Sequence, residues 1–490
     1  MNPPARREFD AMVIGGGAAG MTAAKGIARG GKTVALIEAA QTGGDCLYTG
    51  CVPSKSLIAS ARMLADIRRA ADYGIDVDEP TIDLSAAMSR KDAIIELIGE
   101  ADSPQVIEDA GVTVIHATAR FVDPHSIQAG NRLLRASQLV IATGSRSAIP
   151  PIPGLKESGC LTNESLMELT RLPKRLVIIG AGPTGLELGQ VFLRFGSDVT
   201  VLDRECRVLS PADEAHATMI VESLAREGMG FHLGVELSAV EREGGNSGPA
   251  HVTFITRHGE TRTLDADAVL VATGRSPNIE HLNLCAAGVK TEPRGIVVNK
   301  HLRTSADHIW ACGDVIGPPY FTHAADDQAR TVASGILGKN SSWSGRALPW
   351  ATFTDPEIAG VGLTENTALS EYGAKLEVLT FPFHNLDRAV TDGRGDGQIK
   401  VLLAPGWMRG HFGGEIVGAH AIGTHAGEII QQFAFMMAWR LPAGMLAKTV
   451  QTYPTYSLGG RQAIGLHWRH ARQSTPMHSQ LSRLLSRFTS

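Results

Sequence analysis

Ala11-Met12-Val13-Ile14-Gly15-Gly16-Gly17-Ala18-Ala19-Gly20 is the stretch on which the fold turns. Four apolar residues run straight into Gly15, Gly17 and Gly20, the spacing of a GxGxxG fingerprint. A helix is expected over residues 18–29 and a second strand over 33–37, ending in Glu38. The glycines permit a tight turn and close backbone approach to a pyrophosphate at the helix N-terminus. Glu38 then stands where a carboxylate accepts hydrogen bonds from a ribose.

The pattern returns. A strand over 176–179 leads into Gly180, Gly182 and Gly185, a helix follows over 184–195, and a strand over 198–202 ends in Asp203. Gly15 to Glu38 and Gly180 to Asp203 are both 23 residues. One such motif in a glycine-rich chain is a weak signal. Two copies in strand–turn–helix–strand context with equal spacing speak against a pair of phosphate-free structural turns.

Between the copies lies Gly43-Gly44-Asp45-Cys46-Leu47-Tyr48-Thr49-Gly50-Cys51-Val52-Pro53-Ser54-Lys55. A dithiol this close to the first nucleotide unit can exchange two electrons with a bound flavin. The first unit is therefore read as the flavin site and the second as the site of a nicotinamide that comes and goes. Ala142 to Gly144 and Ala272 to Gly274 each follow an apolar strand and read as crossings between the two nucleotide domains, with Gly144 and Gly274 beside the cofactors. A further strand ends in Cys312-Gly313-Asp314, 40 residues after the second crossing. Asp314 suits a hydroxyl-rich chain such as the ribitol of FAD, although an Asp in such a turn is commonly a helix cap.

A chain of 490 residues exceeds one compact core, so two to four domains are expected. Hydrophobic content of 43% and charged content of 20% are those of a globular protein, and a formal net charge of -4 gives no electrostatic reason for nucleic acid or membrane binding. No apolar run approaches membrane-spanning length and residues 1–10 lack an apolar signal segment, so a cytoplasmic location is expected. Six cysteines are too few for a secreted disulfide framework. Cys160, Cys206, Cys285 and Cys312 are isolated and read as small buried hydrophobes. A zinc site at Cys46 and Cys51 would need two further ligands, and no second close Cys/His pair is present, so no metal site is expected.

Together these residues resemble the flavin-dependent pyridine nucleotide–disulfide oxidoreductases, the family of glutathione reductase, dihydrolipoamide dehydrogenase and mercuric reductase, over about residues 9–465. Phe353-Thr354-Asp355-Pro356-Glu357-Ile358-Ala359, with Val361-Gly362-Leu363-Thr364-Glu365, looks like the start of the family's dimerisation domain. The resemblance implies FAD, NAD(P)H and a homodimer. It implies an α/β fold of two Rossmann-like dinucleotide-binding domains plus a C-terminal α+β dimerisation domain. The expected limits are 1–155 for the FAD-binding domain with the dithiol, 156–275 for the NAD(P)-binding domain, 276–345 for a central FAD domain, 346–466 for dimerisation and 467–490 for a basic tail. By resemblance Cys51 is the thiol against the flavin, its thiolate favoured by the helix that starts there, and Cys46 is the exchange thiol. Lys55, one turn on, looks like the family lysine near the flavin, with Glu187 its expected partner.

The pattern breaks near the C-terminus. Thiol reductases of this family carry His-Pro-Thr followed by a Glu that orients the His; this chain has Tyr453-Pro454-Thr455-Tyr456-Ser457-Leu458. A phenol with a pKa of about 10 is a poor proton shuttle at neutral pH. A Tyr here looks like mercuric reductase, yet the C-terminal Cys pair of those enzymes is missing, since no Cys follows Cys312. Asp45 and Tyr48 depart from the commoner Thr and Asn of the redox run. In the tail, Leu481, Leu484, Leu485 and Phe488 form an apolar stripe at helical spacing, expected to dock on the dimer. The expected function is an NAD(P)H-dependent FAD oxidoreductase passing electrons through Cys46–Cys51 to a small-molecule acceptor. The alternatives are a dihydrolipoamide dehydrogenase or other disulfide reductase, and a redox sensor with structural FAD.

Overall fold

A computed structural model of the chain describes residues 7–242, 248–405 and 413–473. It divides into two compact units. One runs to Arg204 and resumes over Gly230–Gly345; the other takes Glu205–Met229 and the chain from Arg346 onward.

The first unit holds two parallel sheets built to one plan. In the larger, Val112–His116, Val34–Glu38, Arg7–Ile14 and Arg132–Ile141 lie side by side and parallel, with Ile309–Ala311 parallel to Arg132–Ile141. Ser126–Ala129 and Ala119–Asp123 extend it as an antiparallel edge. The apolar run at its centre is continuous because both faces are covered. Met12 and Ile14 enter one core, while Ala11 and Val13 enter the other with the helices Ala18–Arg29 and Thr322–Ile336. In the smaller sheet Gly230–Leu233, Asp198–Asp203, Arg175–Ile179 and Ala268–Val271 are all parallel. A three-stranded antiparallel sheet, Glu236–Arg242, Ala250–Ile255 and Thr261–Ala266, is inserted in sequence between Gly230–Leu233 and Ala268–Val271.

Both parallel sheets reverse their strand order beside a fingerprint. Gly15 N–H donates to Ile37 O and Ala142 N–H to Ile14 O, both at 2.8 Å; Gly180 N–H donates to Leu202 O at 2.8 Å and Ala272 N–H to Ile179 O at 2.7 Å. Ligands of open α/β sheets bind at such a reversal, off the carboxyl ends of the strands.

The second unit is a five-stranded antiparallel sheet, Trp350–Thr352, Glu357–Gly362, Glu415–Gly423, Gln398–Ala404 and Glu377–Pro382, packed with the helices Ala426–Ala438, Ala443–Lys448 and Leu458–Gln473. The last helix continues through the expected start of the tail at 467; the apolar stripe from Leu481 to Phe488 lies outside the described residues. The helix Glu214–Glu227 also belongs to this unit. At its start, buried Asp213 receives the Lys400 ammonium at 2.7 Å, and Lys400 also reaches Glu365 at 2.5 Å. Among the described residues no helix is long and apolar enough to cross a membrane.

Candidate active site

The two fingerprints make two matching cradles. Gly15 and Gly180 sit at φ +104° and +113°, where a Cβ would lie 2.3 and 2.4 Å from the carbonyl oxygens of Ala142 and Ala272. A Cβ on Gly20 or Gly185 would lie 1.8 or 2.0 Å from the oxygen of Gly15 or Gly180, so each helix is held tight on its strand. The middle glycines instead face space. A Cβ on Gly182 would meet nothing within 4 Å, and one on Gly17 only Gly44 Cα at 3.9 Å. Gly17 and Gly182 also open their helices without a side-chain cap. The first-turn N–H groups and the positive end of the helix dipole are thus left for an anion. Both cradles fit a dinucleotide pyrophosphate.

Glu38 and Asp203 stand at the ends of the second strands, as their spacing requires, and brace the loops as well. Glu38 accepts the N–H of Gly16, and that of Ala40 at 2.7 Å. Asp203 accepts the N–H of Ala181 at 2.6 Å. The stretches after the two Ala-Thr-Gly runs pair antiparallel with each other, Ser145–Ser147 against Arg275–Pro277. Gly144 and Gly274, at φ +68° and +136°, turn the chain into this ribbon.

The redox loop lies directly on the first cradle. Gly43 N–H donates to Gly16 O at 2.9 Å, and a Cβ on Gly44 would come 2.8 Å from Gly17 Cα. Cys46 is in the short helix Gly44–Tyr48, and Cys51 is the first residue of the helix Cys51–Arg68. Both thiols are free. Hydrogen bonding from Cys46, opposed by burial and aided by the Thr322 hydroxyl and the Lys55 charge, takes the Cys51 thiol down to about 6. The same hydrogen bond, with burial and the charge of Cys51, pushes the Cys46 thiol up. The pair is thus split into a thiolate at Cys51 and a proton held at Cys46. One helical turn beyond Cys51, the Lys55 ammonium meets the Glu187 carboxylate at 2.9 Å, with the lysine side chain 37% exposed and the glutamate 7%. Glu187 is on the second-fingerprint helix Pro183–Phe195, so this pair joins the two nucleotide units.

Two features of the site carry little signal in the sequence. Thr322 Oγ1 lies 3.4 Å from Cys51 Sγ, presented by the first turn of Thr322–Ile336. Its sequence signal is slight: a hydroxyl at a helix start, eight residues after Asp314. The second is Arg275. Its Nη2 donates to Asp45 Oδ2 at 2.6 Å, its Nε donates to Ser145 Oγ at 2.6 Å, and it lies 3.3 Å from Asp314. Asp314 accepts the Ser145 hydroxyl at 2.7 Å; burial raises its carboxyl, with the Ser145 bond and the Arg275 charge opposing.

Tyr453 belongs to the second unit. It is 66% exposed, and its phenol donates to Asp387 Oδ2 at 2.6 Å. That bond holds the phenol proton and raises its pKa. Leu458, where a dithiol reductase carries its orienting Glu, is buried in the core of this unit. Among the described residues no group of three or more His, Cys, Asp or Glu is arranged to hold a metal ion.

The family model described as pyridine nucleotide-disulphide oxidoreductase matches residues 9–329, and the model for its dimerisation domain matches residues 348–463. Mercuric reductase of Staphylococcus aureus is 32% identical over 454 residues, 92% of this chain and 81% of that protein. Dihydrolipoyl dehydrogenase of Bacillus subtilis is 33% identical over 452 residues, 91% of this chain and 95% of that one. The solved Cu(II) complex of the HOCl-induced flavoprotein disulfide reductase RclA from Escherichia coli superposes with a TM-score of 0.82 at 29% identity, over 94% of this chain and 99% of that one.

Proposed function

This chain belongs to the pyridine nucleotide–disulphide oxidoreductases, FAD-dependent enzymes that use NAD(P)H, and on that premise we propose that its Cys46–Cys51 dithiol passes electrons to a soft or borderline metal ion rather than to a disulfide substrate. Gly15, Gly17, Gly20, Glu38, Gly144 and Asp314 would hold the FAD; Gly180, Gly182, Gly185, Asp203 and Gly274 would hold the nicotinamide dinucleotide. Bound FAD supplies the two-electron relay between nicotinamide and disulfide.

The residues of the chain manage the sulfur and the proton. Two electrons and one proton open the disulfide to a thiol at Cys46 and a thiolate at Cys51, the split that their hydrogen bond and Thr322 favour. A divalent ion ligated by the two sulfurs then takes two electrons, or two ions take one each. The S–S bond re-forms and Cys46 gives up its proton. No proton need be delivered to a leaving thiolate, which is the step a disulfide substrate demands.

The observation that carries the choice of acceptor is Tyr453. The residue in the family's acid–base position is a phenol whose proton is committed to Asp387. Its oxygen lone pairs stay available to a metal ion. The match of the dimerisation domain supports a homodimer, and the family resemblance implies that the position of Tyr453 then lies at the acceptor site. The likeness to mercuric reductases and to the Cu(II) complex of RclA supports the acceptor class.

The test is anaerobic reduction with NADH and NADPH, followed by kcat/KM for Hg(II), Cu(II), lipoamide and glutathione disulfide. Missing acid–base help is worth about a hundred- to ten-thousand-fold, so disulfide turnover should trail family-typical rates by that margin. Family-typical turnover of lipoamide or glutathione disulfide would overturn the proposal.

A further inference from the structure

We propose that Asp45 and Arg275 form a positioning pair that pins the dithiol loop to the second Ala-Thr-Gly crossing and balances the charge beside Cys51. The inference rests on the reading of Cys46 and Cys51 as the redox pair.

Asp45 organises the loop twice over. Its carbonyl accepts the N–H groups of Thr49 and Gly50 at 2.9 and 2.6 Å, closing the turn between the two cysteines. Its carboxylate accepts Arg275 Nη2 at 2.6 Å, the Thr49 hydroxyl, and Asn163 Nδ2 at 3.3 Å. Arg275 is held in turn by the Ser145 hydroxyl at 2.6 Å and the Ser145 carbonyl at 3.1 Å. Three segments distant in sequence therefore meet at the residue that precedes Cys46. A guanidinium suits this role because its planar fork fixes several acceptors at once. Both side chains are partly shielded, Arg275 at 21% and Asp45 at 35% exposure.

Charge gives the pair a second consequence. The groups that act on Cys51 are Cys46, Thr322, Lys55 and Asp45, and Asp45 opposes the thiolate. Those around Arg275 are Asp45 and Asp314, with Tyr320 sensing Asp314 and Arg275. Arg275 thus offsets a carboxylate that otherwise works against Cys51. A stabilised thiolate favours the reduced dithiol, so the pair bears on the dithiol/disulfide equilibrium.

The experiment is a two-residue cycle on the holoenzyme. Asp45→Asn, Arg275→Gln and the double variant are equilibrated anaerobically in dithiothreitol redox buffers. Thiols are trapped with iodoacetamide, and the state of Cys46 and Cys51 is read by mass spectrometry. Arg275→Gln, which leaves Asp45 uncompensated, should shift the equilibrium toward disulfide by about threefold to tenfold. Asp45→Asn should shift it toward dithiol by a like factor, and the double variant should return to within about twofold of the native protein. A tenfold shift corresponds to about 30 mV for this two-electron couple. Single variants that move the same way and add in the double variant would show a loosened loop and overturn the charge argument; unmoved single variants would overturn the pair. A native protein in which Cys46 and Cys51 never form a disulfide would instead defeat the redox reading beneath it.

Discussion

Thr322→Val removes one hydroxyl from the first turn of Thr322–Ile336 and keeps the β-branched shape. What is lost is the contact with Cys51 Sγ at 3.4 Å. A hydrogen bond to a charged acceptor is worth ~1.5–3 kcal/mol at good geometry, and at this length to sulfur about 1 kcal/mol is the fair figure. At 1.36 kcal/mol per unit, the Cys51 thiol then rises by about 0.7 of a unit. Starting from about 6, the thiolate fraction at pH 6 falls from about one half to about one sixth. Alkylation of Cys51 in the reduced protein by iodoacetamide, located by mass spectrometry, should therefore be about threefold slower at pH 6. At pH 9 both proteins are ionised and the rates should converge. Thr322→Ser keeps the hydroxyl and should restore most of the native rate. Equal rates for Val and native protein at pH 6, or a Ser variant as slow as Val, would refute the reasoning.

Further outcomes follow from the same geometry. Two-electron reduction should give a long-wavelength absorbance that depends on the Cys51 thiolate; it should be full above neutrality, fade as pH falls through about 6, and vanish in Cys51→Ser. Lys55→Met deprives the buried Glu187 carboxylate of this cation. Because the lysine is 37% exposed, the loss should be about 1–3 kcal/mol of stability by chemical denaturation rather than the 3–5 of a fully buried pair; no loss would mean the pair is merely superficial. A carboxylate at the end of the second strand, where Asp203 stands, favours a free ribose 2′-OH in this fold, so kcat/KM should be higher for NADH, and Asp203→Asn should narrow the gap about tenfold, or ~1.4 kcal/mol; a native preference for NADPH would refute this. Tyr453→Phe should lower metal-ion reduction while leaving reduction by NAD(P)H intact, and unchanged metal-ion turnover would assign Tyr453 to packing.

Much of this site is local in sequence and was legible there. The fingerprints declare themselves because each glycine answers one steric demand: Gly15 and Gly180 at a positive φ, Gly20 and Gly185 against a carbonyl, Gly182 beside open space and Gly17 with only Gly44 near it. The Lys55–Glu187 contact spans 132 residues, and only the family resemblance points to it. Thr322 and Arg275 remained hidden for a related reason. A threonine or an arginine carries no spacing rule, and its partner is fixed by where two distant strands end. Asp45 was visible as a departure from the family pattern, but its partner Arg275 lies 230 residues away. Single-residue oddities show in a sequence; the residue that compensates them does not.

The crossover helix Glu214–Glu227 has a practical meaning for anyone who would divide this protein. In sequence it links Asp198–Asp203 to Gly230–Leu233, neighbouring strands of one parallel sheet, yet it is counted with the unit that resumes at Arg346. Its leading carboxylate, Asp213, is 2% exposed and neutralised by a lysine almost two hundred positions later. A fragment stopped at Gly345 would translate the helix but never its counter-ion, leaving a buried acid without its cation. Gly345 is thus not a cutting point in the gene, and the two units are a poor choice for separate expression.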